Sequence, residues 1–170
     1  MGFWLLAVGL LFWISLNIER RILGGNSLDI SYQVKTAIQV GIVEPLRLGP
    51  NALLALYAQA ALETGNFKSR AFLATNSLFN RHKGSGRGEW LRDAPVFYAG
   101  PGDADLRTYS DIHQSARDMA QLLSDPLYGQ AFLALRSNNV AMYYDALGRA
   151  GFAADRSYAK NLQRTYASLV

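Results

Sequence analysis

Leu53-Leu54-Ala55-Leu56-Tyr57-Ala58-Gln59-Ala60-Ala61-Leu62-Glu63-Thr64-Gly65 decides how the chain is read. Leu and Ala are the strongest helix formers, so the stretch predicts a helix. Asn51 stands where a cap is wanted, and Gly65 suits the left-handed position just past the end. The last turn carries one acid, Glu63. On a helix it shares a face with Gln59, Ala60 and Leu56, a small and mainly apolar surface. Partial desolvation and the negative end of the helix dipole both disfavour the carboxylate and raise its pKa. A general acid working near neutrality needs such a shift. A solvent-facing Glu at a helix end is the alternative reading.

Four blocks bear on that choice. Ala60-Ala61-Leu62-Glu63-Thr64-Gly65, followed by Asn76-Ser77-Leu78-Phe79-Asn80, resembles the signature of the bacterial glucosaminidase family of peptidoglycan hydrolases. That family includes autolysins and the flagellar rod-cap hydrolase, and typically shows Ala-Leu-Glu-Ser-Gly and then Asn-Asn-Leu-Phe-Gly. Tyr109-Ser110-Asp111 is similar to its Tyr-Ser-Ser segment. Ala150-Gly151-Phe152-Ala153-Ala154-Asp155, with Tyr158-Ala159-Lys160-Asn161-Leu162, resembles its Ala-Gly-Tyr-Ala-Thr-Asp…Tyr-Ala-Lys-Leu ending. The blocks keep their order and run from about residue 50 to the end of the chain.

The resemblance implies a mainly α, lysozyme-like domain over residues 50–170, with a small β-hairpin lobe, that cleaves the glycan strand of peptidoglycan. It implies Glu63 as the proton donor. Asn76, Phe79, Tyr109, Phe152 and Tyr158 become candidate substrate-binding residues, although Tyr158, like Tyr143, also reads as packing. Relatives draw a second carboxylate from the lobe; Glu89 and Asp103 rank first here, with Asp93 and Asp105 also available. The substrate's own 2-acetamido group could fill that role instead. Phe152 stands where relatives carry a tyrosine near the acid, so its hydroxyl is missing; Tyr57, Tyr109 or Tyr158 would have to supply one. A lytic transglycosylase or muramidase needs the same single Glu, and a non-catalytic wall-binding or structural protein could keep the fold without turnover.

Composition sets the outer bounds. A chain of 170 residues, half of them hydrophobic and 18% charged, has room for one domain with a real core and a short extra segment. The absence of cysteine excludes disulfides and thiolate metal sites. His82 and His113 are too few and too far apart to argue for a metal, and no cofactor is expected. A formal charge of +4 suits nucleic acid, anionic lipid or an anionic wall polymer equally. Gly84-Ser85-Gly86-Arg87-Gly88, among Arg70, Arg81, His82, Lys83 and Arg92, lacks the phosphate-loop pattern, and no nucleic-acid module is present. This basic stretch reads either as a solvated loop or as a cleft wall meeting stem-peptide carboxylates.

Residues 2–18 carry only Ser15 and Asn17 as polar side chains. As a helix they would span about 25 Å, just under the ~30 Å core of a bilayer. With Trp4, Trp13, Arg20 and Arg21 nearby, residues 1–22 are expected to form a transmembrane anchor, with a signal peptide or buried helix as alternatives. Arg20, Arg21, Lys35 and Arg47 would keep the domain cytoplasmic by the positive-inside rule, which conflicts with a wall substrate. A virion membrane, with virion or envelope partners, would reconcile the two. Residues 23–49 read as a connecting helix and linker: Gly24-Gly25-Asn26-Ser27 break the chain, an apolar side follows, and Pro45 and Pro50 bracket a turn.

Beyond the lobe the pattern is helical. Ile112, Ala116, Met119, Leu122 and Leu123 form one stripe, capped by Ser110 or Asp111. Asp125-Pro126 opens a piece with Tyr128, Phe132 and Leu135. Val140, Tyr143, Tyr144 and Leu147 form another stripe. Asp155 is expected to cap a last helix carrying Tyr158, Leu162, Tyr166 and Leu169.

Overall fold

The computed structural model describes residues 27–82, 96–97 and 106–170. The expected anchor, residues 1–22, and the lobe acids Glu89 and Asp103 fall outside them. Among the described residues no helix is long and apolar enough to cross a membrane. The chain divides into two compact units, Met1–Gln33 and Val34–Val170. The described residues of the first, 27–33, form the opening turns of a helix, and the site belongs to the second.

The order of elements is α1 (Ser27–Ile38), a π-helical turn (Gln39–Val43), the short α2 (Glu44–Leu46), α3 (Ala52–Glu63), α4 (Arg70–Thr75), β1 (Val96–Phe97), β2 (Leu106–Arg107), α5 (Ile112–Leu123), a 3-10 turn (Pro126–Tyr128), α6 (Gly129–Arg136), α7 (Val140–Arg149) and α8 (Tyr158–Ala167). The domain is thus mainly helical, consistent with a lysozyme-like fold. The two short strands pair antiparallel, Val96 with Arg107 and Phe97 with Leu106.

Helix α3 is the axis. Eight of its twelve residues are buried, as expected of a helix that is apolar nearly all round. Its alanines let α8 lie close along it, α8 packs on α7, and α7 on α6. Tyr143, Tyr144, Leu147 and Leu162 fill the space between them without exposed surface. The Tyr144 hydroxyl donates to the Ala55 carbonyl at 3.0 Å, so even this ring has its polar tip satisfied.

Helix ends depart from the sequence reading in instructive ways. Asn51 does sit before α3, but its side chain makes no cap; its backbone N–H instead donates to Asn138 Oδ1 at 2.7 Å. Gly49 N–H similarly donates to the Leu135 carbonyl at 3.1 Å, so the turn into α3 is tied to the end of α6. Asp111, rather than Ser110, caps α5 by accepting from Gln114 N–H. Asp155 caps the turn before α8 rather than the helix itself: it accepts from the Ser157 N–H and hydroxyl, and Ser157 takes the N-cap position of α8 without a side-chain capping bond.

The π-helical turn meets α5 at Gly41, where an added Cβ would lie 2.8 Å from the Ala116 Cβ. Overpacking there costs about 1–3 kcal/mol, more than the ~1 kcal/mol by which a helix prefers Ala to Gly. Gly41→Ala is therefore expected to lower Tm in thermal denaturation; an unchanged or raised Tm would contradict this close approach.

Candidate active site

Glu63 is the last residue of α3, and the backbone just beyond it is tightly held. Thr64 is buried; its hydroxyl donates to the Ala60 carbonyl at 2.7 Å and accepts from Phe67 N–H at 2.9 Å. Asn66 N–H reaches back to the Ala61 carbonyl at 2.8 Å, closing the helix. Gly65, Asn66 and Phe67 all have positive φ, at 57°, 56° and 64°. For Phe67 that backbone is unfavourable by about 1–3 kcal/mol, offset by its ring packing on Tyr57 and Phe72.

The Glu63 side chain is half-buried. Its Oε1 accepts from the Tyr158 hydroxyl at 2.6 Å. Asn80 Nδ2 lies 3.3 Å from Oε2 and also donates to the Glu63 carbonyl at 2.5 Å. Burial raises the Glu63 pKa above the ordinary 4.5, and the two donors, Tyr158 before Asn80, pull part of the way back. Burial, followed by the charge of Glu63, pushes the Tyr158 hydroxyl well up, so it stays a donor. Of the three tyrosines able in principle to replace the hydroxyl missing at Phe152, Tyr158 is the one on the acid. Phe152 stacks on its ring, with centroids 5.7 Å apart and planes 18° from parallel, and Tyr128 meets Phe152 edge-on at 6.4 Å.

The other candidates fall elsewhere. Phe79 has no exposed surface and Tyr109 only 3%, so neither ring is free to meet a sugar; both are core. Asn76 takes a left-handed conformation at the end of α4 and donates to the Tyr109 carbonyl at 3.0 Å, joining the end of α4 to the segment before α5. Tyr57 lies under Lys35 Nζ, 4.9 Å from its ring centre. Glu89 and Asp103 are outside the described residues, as is the loop segment 83–92.

Arg81 departs from its expected place in a basic loop. It is buried, 3.9 Å from Asp118 Oδ2, while Arg107 holds Asp118 Oδ1 at 2.8 Å and the Tyr109 hydroxyl donates to Oδ2 at 2.7 Å. This network ties β2 and the segment after α4 to α5. No sequence motif singles out Asp118. Asn80 as a direct partner of the acid, and Tyr143 as a partner of Gln59 on the Glu63 face, carry no sequence signal, because these contacts join segments far apart in the chain.

The family model described as mannosyl-glycoprotein endo-beta-N-acetylglucosaminidase (Glucosaminidase) matches residues 44–169. No curated protein matches the chain significantly. Among solved structures, the glycoside hydrolase domain of Salmonella typhimurium FlgJ is 24% identical, over 85% of this chain and 88% of that one, with a TM-score of 0.60. A peptidoglycan hydrolase mutant from Sphingomonas sp. A1 is 27% identical, over 80% and 85%, with a TM-score of 0.51. The catalytic domain of the Listeria monocytogenes autolysin Auto is 19% identical, over 91% and 93%, with a TM-score of 0.57. At those identities the FlgJ and Auto likenesses speak to fold.

The raised Glu63 pKa has a stability consequence with a definite sign. A carboxyl whose pKa is higher in the folded chain favours folding below its unfolded pKa near 4.5, and that contribution is lost as pH rises through the folded value. Glu63→Gln removes the titration, so its Tm relative to the parent chain is expected to rise between pH 4 and pH 7. A difference that stays flat or falls over that range would contradict the shift.

Proposed function

The chain belongs to the glucosaminidase family, and we propose that it is a glycoside hydrolase that cuts the glycan strand of peptidoglycan, with Glu63 delivering the proton. The Sphingomonas neighbour, a peptidoglycan hydrolase, supports this substrate over the mannosyl glycoprotein of the family description. The net positive charge suits an anionic wall polymer. The observation that carries the catalytic reading is the half-buried Glu63 with the Tyr158 hydroxyl on Oε1.

Breaking a glycosidic bond requires a proton on the leaving oxygen and stabilisation of an oxocarbenium-like centre. Burial keeps Glu63 protonated to higher pH than an exposed glutamate, and the helix dipole acts in the same direction. When the proton leaves, the Tyr158 donor is already in place to meet the new charge on Oε1. A donor oriented in advance toward developing charge lowers the barrier without reorganisation. Glu89 or Asp103 would activate water on the opposite face of the sugar, or the substrate's 2-acetamido group would stabilise the centre itself. The bond would be the one after N-acetylglucosamine.

Residues 2–18, on this reading, hold the domain at a membrane, in a bacterial envelope or a virion. Detergent-dependent solubility of the full chain, lost in a chain beginning at Asn26, is the expected result; a full chain soluble without detergent or lipid would remove the anchor.

Glu63→Gln is expected to reduce clearing of purified peptidoglycan by about 10²–10⁴-fold, the usual scale for a general acid, while the chain remains folded. Mass analysis of the products should show reducing N-acetylglucosamine ends. Anhydro or reducing muramic ends would move the activity to a transglycosylase or muramidase. Equal clearing by both proteins would end the assignment of Glu63 as the acid, and no clearing by either would favour a wall-binding protein.

A further inference from the structure

Gln59 lies on α3 one turn before Glu63, fully buried, and its amide bridges two tyrosines from other helices. Its Oε1 accepts from the Tyr143 hydroxyl at 2.5 Å, and its Nε2 donates to the Tyr158 oxygen at 3.2 Å. Tyr158 in turn donates to Glu63 Oε1 at 2.6 Å. A tyrosine hydroxyl has one hydrogen, so each link fixes the direction of the next. Tyr143, in a dry core, directs its hydrogen to Gln59 Oε1. The amide then presents its NH₂ to Tyr158, and Tyr158 is left with Glu63 as its acceptor. With the amide turned over, Gln59 Oε1 and Glu63 Oε1 would contest one hydrogen, and the Tyr143 hydroxyl would face an N–H with its own hydrogen unmet. An unmet donor buried in the interior is expensive, which locks the chain in one polarity.

We propose that Gln59 and Tyr143 are positioning residues for the acid: they hold Tyr158 as a donor to Glu63 Oε1 at 2.6 Å, so that the acid proton is carried on Oε2, where the Asn80 amide is the longer contact at 3.3 Å, and the charge left behind is met chiefly on Oε1. The inference rests on Glu63 being the proton donor. It adds that the orientation of this proton is set from a residue on α7 with no place at the reacting atoms. The competing view is that Tyr143 and Gln59 are simply a satisfied polar pair in the core. Tyr144 provides the matched comparison: it is the next residue on the same helix and equally buried, but its hydroxyl bonds the Ala55 carbonyl and leads nowhere near the acid.

The test compares Tyr143→Phe, Gln59→Leu and Tyr144→Phe in the full chain, with solubilised glycan strands of peptidoglycan as substrate. Tyr143→Phe is expected to lower kcat on the order of fivefold, the rate equivalent of one net hydrogen bond, with KM unchanged. The alkaline limb of its pH–rate profile should move to higher pH, because a carboxylate deprived of its donor keeps its proton longer. Gln59→Leu should move the limb in the same direction, and serves alone if Tyr143→Phe does not fold. Tyr144→Phe should leave the limb where it is. A limb in Tyr143→Phe or Gln59→Leu that coincides with that of Tyr144→Phe overturns the proposal. The reading beneath it fails separately, through lysis retained by Glu63→Gln.

Discussion

A carboxyl group at the carbonyl end of a helix, half withdrawn from water, is a poor place to keep a negative charge. Glu63 occupies that place, and the rest of the domain can be understood through how the charge is tolerated when it forms. Burial works against the carboxylate; the Tyr158 hydroxyl and the Asn80 amide work for it. Neither donor is local. Tyr158 comes from the last helix and Asn80 from the loop after α4, so the state of one proton depends on packing across the whole domain.

That packing has two anchors. On one, α3, α7 and α8 press together around Tyr143, Tyr144, Leu147 and Leu162, and the buried polar chain through Gln59 passes between them. On the other, Asp118 binds Arg107 and the Tyr109 hydroxyl with Arg81 close by, holding the strands and the loop that carries Asn80 against α5. Removing one member of such a buried ionic group strands the others, at about 3–5 kcal/mol. The two anchors explain why residues without reach to the acid share its burial.

Much of this was legible in the sequence. The alanine-rich helix, its glycine stop, the amphipathic stripes of α5, α7 and α8 and the isolated acid on α3 all follow from local rules, and the structure contains them, except that Leu169 falls past the end of α8 and is exposed. The motif blocks singled out Tyr158, which does reach Glu63. They also put forward Phe79 and Tyr109, whose rings are buried, because a motif residue that builds the core behind a site leaves the same trace in a sequence as one that lines it. What periodicity could not supply is pairing between distant segments. Asp118 is held by Arg107 and Tyr109 with Arg81 close by, and Gln59 meets Tyr143 and Tyr158 at its two ends, pairings that local spacing does not show. Asn51 holds the N-cap position of α3, but its backbone is already helical (φ −84°, ψ −5°), so its side chain makes no cap.

The direct test of the central claim is a titration of the Glu63 carboxyl carbon itself, by ¹³C NMR of labelled protein with Glu63→Gln used for assignment. The account requires a midpoint above the ordinary 4.5, rising further when Tyr158→Phe removes the donor on Oε1. A midpoint at or below 4.5, or one indifferent to Tyr158, would mean that Glu63 is an ordinary solvated glutamate and that the site is not built around its proton.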